Sequence, residues 1–238
     1  MGDGLPEIIW MRSERPARGP APAYSRAQIT ALALKIADAE GLEALSMRRV
    51  AKELGAGTMS LYRYVPGKDD LIELMIDVVI GEWIPERGEL SGEWRADLRL
   101  LAHYSRRSLR RHPWMAGRSG GVTFGPNALQ MAEAALGAVD GLGLNIDQMM
   151  SVTGMVTSYV NGFVTNELAA AEARRRTGLT DEQLMIANGP YIRSILDSGR
   201  YPLIERVIVD ARQPHMDPDE RFEYGLERIL DGIAGSLP

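Results

Sequence analysis

The chain has no cysteine in 238 residues. That excludes disulfides and thiolate metal sites, and a reducing cytoplasmic setting fits best. Histidine is scarce, with three widely spaced residues, so no metal cluster is expected and no cofactor is implied. The opening stretch MGDGLPEIIWMRSERPARGPAPAY has no basic segment leading into an unbroken apolar run, so no secretory signal is expected there. The run from Gln148 to Asn166 lacks formal charge, which raises the question of a membrane span. It carries Gln148, Ser151, Thr153, Thr157, Ser158, Asn161, Thr165 and Asn166, too many polar groups for lipid, and no membrane partner is expected. No nucleophile–base–acid spacing or phosphate loop is present, so the chain does not read as an enzyme and no catalytic residue is assigned.

What is present is unevenly distributed. The net charge of −5 taken alone argues against a nucleic-acid partner. Yet residues 1–68 hold ten Lys or Arg against seven Asp or Glu, while the remainder holds 17 against 25. A basic front and an acidic back suggest two parts with different partners. Residues 1–23, with Pro6, Pro16, Pro20 and Pro22 among arginines, read as a flexible N-terminal arm. Its IIWM patch at 8–11 reads as part of a loosely held tail, with a docking segment as the alternative.

From Ser25 onward helical periodicity dominates. Ser25 can cap a helix carrying Ile29, Leu32, Ala33, Ile36 and Ala37, and Gly41 ends it. Ser46 starts a second, with Leu45 and Val50 at the staple positions. Leu54-Gly55-Ala56-Gly57 breaks it. A short helix over about 58–64 follows, stopped before Pro66, and a longer one opens at Lys68. Two helices joined by a glycine turn are the sequence form of a helix-turn-helix, whose second helix enters the major groove. Leu61 and Val65 are expected inward, leaving Thr58, Met59, Ser60, Tyr62 and Arg63 outward. Hydroxyls suit phosphate or base edges, a methionine suits a thymine methyl, and arginine suits guanine or phosphate. For Arg63 both roles stay open. Lys68 at a helix start suits a phosphate.

The segment GLEALSMRRVAKELGAGTMSLYRYVPGKDDLIELM, residues 41–75, resembles the DNA-binding domain of the TetR family of bacterial repressors. The shared features are the leucine before Ser46, then Arg48, Val50-Ala51, Leu54-Gly55, Leu61-Tyr62, Tyr64, Lys68 and the Leu-Ile pair. The resemblance implies DNA contacts from Arg48, Thr58, Met59, Ser60, Tyr62, Arg63 and Lys68. Tyr62 and Lys68 match phosphate-contacting positions, and Thr58, Met59 and Ser60 match those nearest the bases. Arg49 is a plausible extra phosphate contact, or a solvated surface charge. The implied fold is all-α, with a helix-turn-helix domain over 24–70 and a helical ligand-binding and dimerisation domain over 71–238.

The back of the chain also reads as helical: about 93–111, 127–136 and beyond, 147–168, 181–196 and 217–230. The helix over 147–168 is expected to be covered on all sides, with Gly154 and Gly162 allowing a close partner. The resemblance assigns helices near 146–172 and 217–234 to a homodimeric four-helix bundle. It implies a repressor that binds a palindromic double-stranded DNA operator and releases it on binding a small effector. The tracts WRADLRLLAHYSRRSLRRHP and FEYGLERILDGI look like the branch holding the tetracycline repressor, but Leu101 and Ser105 stand where that protein places polar ligand contacts. Tetracycline with magnesium is therefore not implied. A mainly apolar cavity with few polar fixings suggests His103, Tyr104, Trp114, Phe124, Met150, Tyr159, Asn161 and Phe163 as ligand-binding candidates. An enzyme with a helix-turn-helix appendage and a nucleoid protein without ligand control are the rival readings.

Overall fold

The computed structural model describes residues 8–12, 24–86, 88–117, 124–210 and 216–238, without the side chains of 181, 182, 185 and 210. Helices account for the regular structure among these residues, with no strand. They divide into two compact units, Met1–Asn161 with Leu237–Pro238, and Gly162–Ser236.

The first unit opens with helix α1 (Arg26–Glu40), which Ser25 caps through a box with Gln28 and Gly41 ends at φ 81°. Ile29, Ala33, Ile36 and Ala37 form its buried face. Helix α2 (Met47–Leu54) starts at Ser46, whose hydroxyl accepts from Arg49 N. The expected staple forms, with Leu45 and Val50 both buried. Helix α3 (Thr58–Leu61) is shorter than the sequence suggests, continuing as turns through Tyr64. Helix α4 (Lys68–Gly81) packs on α1 and on α6 (Pro126–Val139). Between them runs α5 (Trp94–Arg111), whose start is fixed from behind: buried Asp97 accepts from Ser91 N, Ser91 Oγ and Gly92 N.

The α4–α6 junction depends on one carboxylate. Helix α6 has Gly125 before it and Pro126 at its first position, so it lacks a side-chain cap of its own. Asp77 of α4 supplies one, accepting from Ala128 N at 2.9 Å and Asn127 Nδ2 at 3.1 Å. A Cβ on Gly125 would fall 2.0 Å from Asp77 Oδ1, so only glycine lets α6 approach this closely. Burial raises the Asp77 pKa, and the hydrogen bonds from Asn127 and Ala128 partly oppose it.

The IIWM patch is docked, contrary to the tail expected there. Ile9 is fully buried, and Trp10 donates its indole N–H to Glu73 on α4 at 2.6 Å. Arg26 holds the same segment by donating to the Ile9 and Arg12 carbonyls. An aromatic donor and a β-branched anchor give these residues more burial energy than the proline-rich composition around them suggests. The rest of the expected arm, 1–7 and 13–23, lies outside the described residues.

Helix α7 (Ile146–Thr177) begins in the first unit and ends in the second. Its hydroxyls are satisfied locally: Ser151, Thr153 and Thr157 each donate to a carbonyl one turn back. Met149, Val152, Val156 and Val160 form one buried stripe, while Met150 and Met155 are exposed. One side is therefore uncovered in the single chain, where the sequence suggested cover all round.

In the second unit α8 (Asp181–Ala187) and α9 (Gly189–Asp197) are separate helices where one was expected. Pro190 cannot donate a backbone N–H and disfavours helix in the residue before it, so the chain restarts at Asn188–Gly189. Helix α10 (Pro202–Asp210) was missed, and α11 (Pro218–Ala234) follows a capping box from Asp217. Phe222, Leu226, Leu230 and Ile233 bury one side of α11, and Phe222 meets Phe163 of α7 edge to face at 5.2 Å.

Candidate functional site

The turn between α2 and α3 explains how a polar, aromatic segment is held outward. Gly55 adopts φ 69°, ψ 25°, a left-handed conformation that L side chains adopt at a cost. Ala56 N then reaches back to Ala51 O at 2.9 Å, closing the end of α2. Tyr24 also donates its hydroxyl to Leu54 O at 3.1 Å. Leu61 and Val65 are both fully buried and anchor α3 from beneath.

Outside that anchor the expected residues are exposed or half-buried. Met59 is 78% exposed and Tyr62 42%, while Arg48 and Arg63 are also exposed. An apolar side chain as open as Met59 has no packing role within the chain. Thr58 opens α3 half-buried, and Ser60 donates its hydroxyl to Gly57 O at 2.7 Å, leaving its oxygen as an acceptor. Lys68 donates to Leu42 O at 3.2 Å, tying α4 to the turn after α1, and two of its three ammonium hydrogens remain for another acceptor.

Arg49 differs from its neighbours. Its guanidinium meets Glu40 Oε1 at 2.9 Å and also pairs with Glu53. Those two hydrogen bonds raise its pKa further. Two carboxylates already match its charge, so it braces α2 against the end of α1.

The eight ligand-binding candidates differ in burial and in partners. Trp114 is buried and donates its indole N–H to Asp38 of α1 at 2.8 Å. Asp38 also meets His112 Nδ1 at 2.7 Å, while His112 Nε2 lies 3.1 Å from Glu82. Buried His112 thus joins α1 to the end of α4, a link that the sequence did not single out. Phe124 and Met150 are exposed, and His103, Tyr159 and Asn161 are half-buried. Phe163 packs on Phe222 in the second unit. Tyr104 alone among the eight lines the cavity of about 230 Å³ beside α5, whose other described lining includes Glu82, Trp83, Glu86 and Glu89. Among the described residues no group of three or more metal-ligating side chains converges, and no helix is long and apolar enough to cross a membrane.

Comparison with known proteins agrees with this geometry. A family model described as bacterial regulatory proteins, tetR family, matches residues 29–75, over α1 to α4. Another, the tetracyclin repressor-like C-terminal domain, matches residues 85–237. The chain is 43% identical over 230 residues to the HTH-type transcriptional repressor DrrR1 of Streptomyces coeruleorubidus, covering 95% of this chain and 83% of that protein. An HTH-type transcriptional regulator of Saccharopolyspora erythraea is 34% identical over 166 residues, 69% of this chain and 70% of its own length. The TetR family protein ActR of Streptomyces coelicolor, solved in complex with actinorhodin, matches with a TM-score of 0.73 at 29% identity, covering 90% of this chain and 97% of ActR. With a glycine-turned pair of helices presenting Arg48, Met59, Tyr62 and Arg63, and family models matching both halves, the chain belongs to the TetR family of bacterial transcriptional regulators.

Proposed function

We propose that the chain acts as a homodimeric repressor that binds a palindromic operator and releases it when a small effector binds. The observation that carries the DNA reading is the exposed surface of α2 and α3, held outward by buried Leu61 and Val65. Thr58, Met59 and Ser60 read base edges, while Tyr62, Lys68 and Arg48 hold phosphates. Arg63 reaches a base or a phosphate from the same surface. Arg49 contributes by orienting α2. Two copies would engage half-sites about 34 Å apart, one turn of DNA.

The uncovered side of α7 supports the second copy. Met150 and Met155 are exposed there, and Cβ atoms added to Gly154 or Gly162 would meet open space within the chain. With α11, this side makes the intersubunit bundle. The effector is a mainly apolar or amphipathic organic molecule, a reading supported by the actinorhodin complex of ActR. His103, Tyr159 and Asn161 are its proposed polar fixings. Release requires that the effector bind the two conformers with different free energy.

The test is a thermal-shift screen of polycyclic natural products against the full chain, followed by operator release with each hit. A stabilising compound that also releases operator DNA is the expected result. Operator binding that no stabilising compound alters would contradict effector control. Salt-dependent binding without sequence preference would instead favour the nucleoid reading.

A further inference from the structure

Helix α3 is a single turn of four residues without a side-chain cap, and turns carry the chain on to Tyr64. So short a helix is not stable by itself, and its orientation is set by what holds it from outside. Leu61 and Val65 hold it from beneath. A further attachment comes from Arg26, at the start of α1, which donates its Nε to the Tyr64 carbonyl at 2.9 Å. The same guanidinium donates Nη1 to the Arg12 carbonyl at 2.8 Å and to the Ile9 carbonyl at 3.3 Å. One planar fork thus ties the turn after α3 to the docked segment 8–12.

That segment also reaches α4 and the start of α6. A 3-10 turn over Ile9–Met11 keeps its shape, and Ile9 is fully buried as its anchor. Trp10 donates to Glu73 of α4 at 2.6 Å. Its ring lies against Gly125, where a Cβ would fall 2.8 Å from Trp10 Cζ2. In so tight a contact the residue before α6 cannot move toward the indole without displacing it. Displacing the indole pulls on the Ile9 and Arg12 carbonyls, and through Arg26 on the turn after α3.

We propose that segment 8–12 is a coupling strap, with Trp10 and Arg26 as its two positioning residues, joining the start of α6 to α3 and holding α3 ready for DNA. The strap is separate from the Asp77 link between α4 and α6. Fixing α3 before DNA arrives lowers the ordering cost of binding. Coupling is reciprocal, so a duplex that fixes α3 also changes the surroundings of Trp10. The effect on DNA affinity rests on the DNA-binding reading, whereas the mechanical tie from Trp10 to the turn after α3 does not.

The test uses the full chain and a duplex that it selects from a random pool. Nitrogen–proton correlation spectra follow the indole N–H signals of the four tryptophans, with that of Trp10 identified by its loss in Trp10→Phe. Saturating duplex should move the Trp10 signal in the wild type and leave it in place in Arg26→Lys, which keeps the charge but lacks the fork. Trp10→Ala and Arg26→Lys should each weaken the duplex about tenfold, equivalent to about 1.4 kcal/mol, and the double variant no further, because either change opens the same strap. A Trp10 signal unmoved by the duplex, or moved equally in Arg26→Lys, overturns the strap. So does a double variant weaker by about a hundredfold, the sum of two independent effects. The signal comparison needs only Arg26→Lys and decides alone if Trp10→Ala does not fold. A chain that binds no DNA sinks the DNA reading, and amide exchange then judges the strap: Trp10→Ala, or Trp10→Phe in its place, should speed exchange at Tyr64 and Val65 more than at Val50 of α2. Equal speeding at all three is a general loss of stability and overturns the strap as well.

Discussion

Replacing Asp77 with alanine should weaken the junction between the DNA-binding helices and the rest of the first unit. Asp77 is 2% exposed and its carboxylate accepts from Ala128 N and Asn127 Nδ2, so Asp77→Ala strands Ala128 N and uncaps α6, while Asn127 Nδ2 keeps the Asp77 carbonyl. Loss of a helix cap costs about 0.5–2 kcal/mol, and a stranded buried donor about 1–3. The wild-type carboxylate is itself disfavoured by burial, which offsets part of this, and about 2 kcal/mol is expected. For a chain of this size that is a fall of roughly 4–8 °C in melting temperature. Asp77→Asn keeps one oxygen for Ala128 N and should lose about 1 kcal/mol. The pH dependence has a definite sign. Because burial holds the Asp77 pKa above its ordinary carboxylate value, the folded state holds the proton more tightly. Stability from this group is complete below the unfolded value and falls as pH rises through the folded one. The wild-type advantage over Asp77→Asn should therefore be larger near the unfolded pKa than at neutral pH. Urea unfolding of the three proteins across that range is the assay. An Asp77→Ala protein as stable as wild type, or a wild-type advantage that grows with pH, would refute the reasoning.

Other perturbations have equally specific outcomes. Gly55→Ala meets no neighbouring atom but forces a β-carbon at φ 69°, so chemical denaturation should show a loss of about 1 kcal/mol. His112→Ala removes the ring between Asp38 and Glu82, both partly exposed, and calorimetry should show about 2–3 kcal/mol lost. Arg48→Ala should reduce operator affinity more than Arg49→Ala, because Glu40 and Glu53 already occupy Arg49; titration by fluorescence anisotropy decides it.

The N-terminal helices were legible because their boundaries are written locally. Ser25, Gly41, Ser46 and Gly55 each act within a few residues of where they stand. Leu61 and Val65 could likewise be placed inward from spacing alone. What was hidden depends on distant partners. Asp77 acquires its role only when α6 arrives, and Trp114 reads as a ligand hook until Asp38 takes its N–H. Helix α10 was concealed by the Gly199 to Pro202 stretch, which suggests a loop although proline suits a first helical turn. Its Leu203, Ile204 and Val207 are exposed, so no core within the chain made the helix evident.

The central claim is that α2 and α3 present a DNA-reading surface. Its most direct test is the affinity of wild type, Tyr62→Phe, Arg63→Ala and Lys68→Gln for a duplex selected by the wild-type chain from a random pool, measured across salt concentrations. The account predicts weaker binding by Tyr62→Phe and Arg63→Ala, with Lys68→Gln lowering the salt slope by about one. Unchanged affinity in both Tyr62→Phe and Arg63→Ala would contradict it.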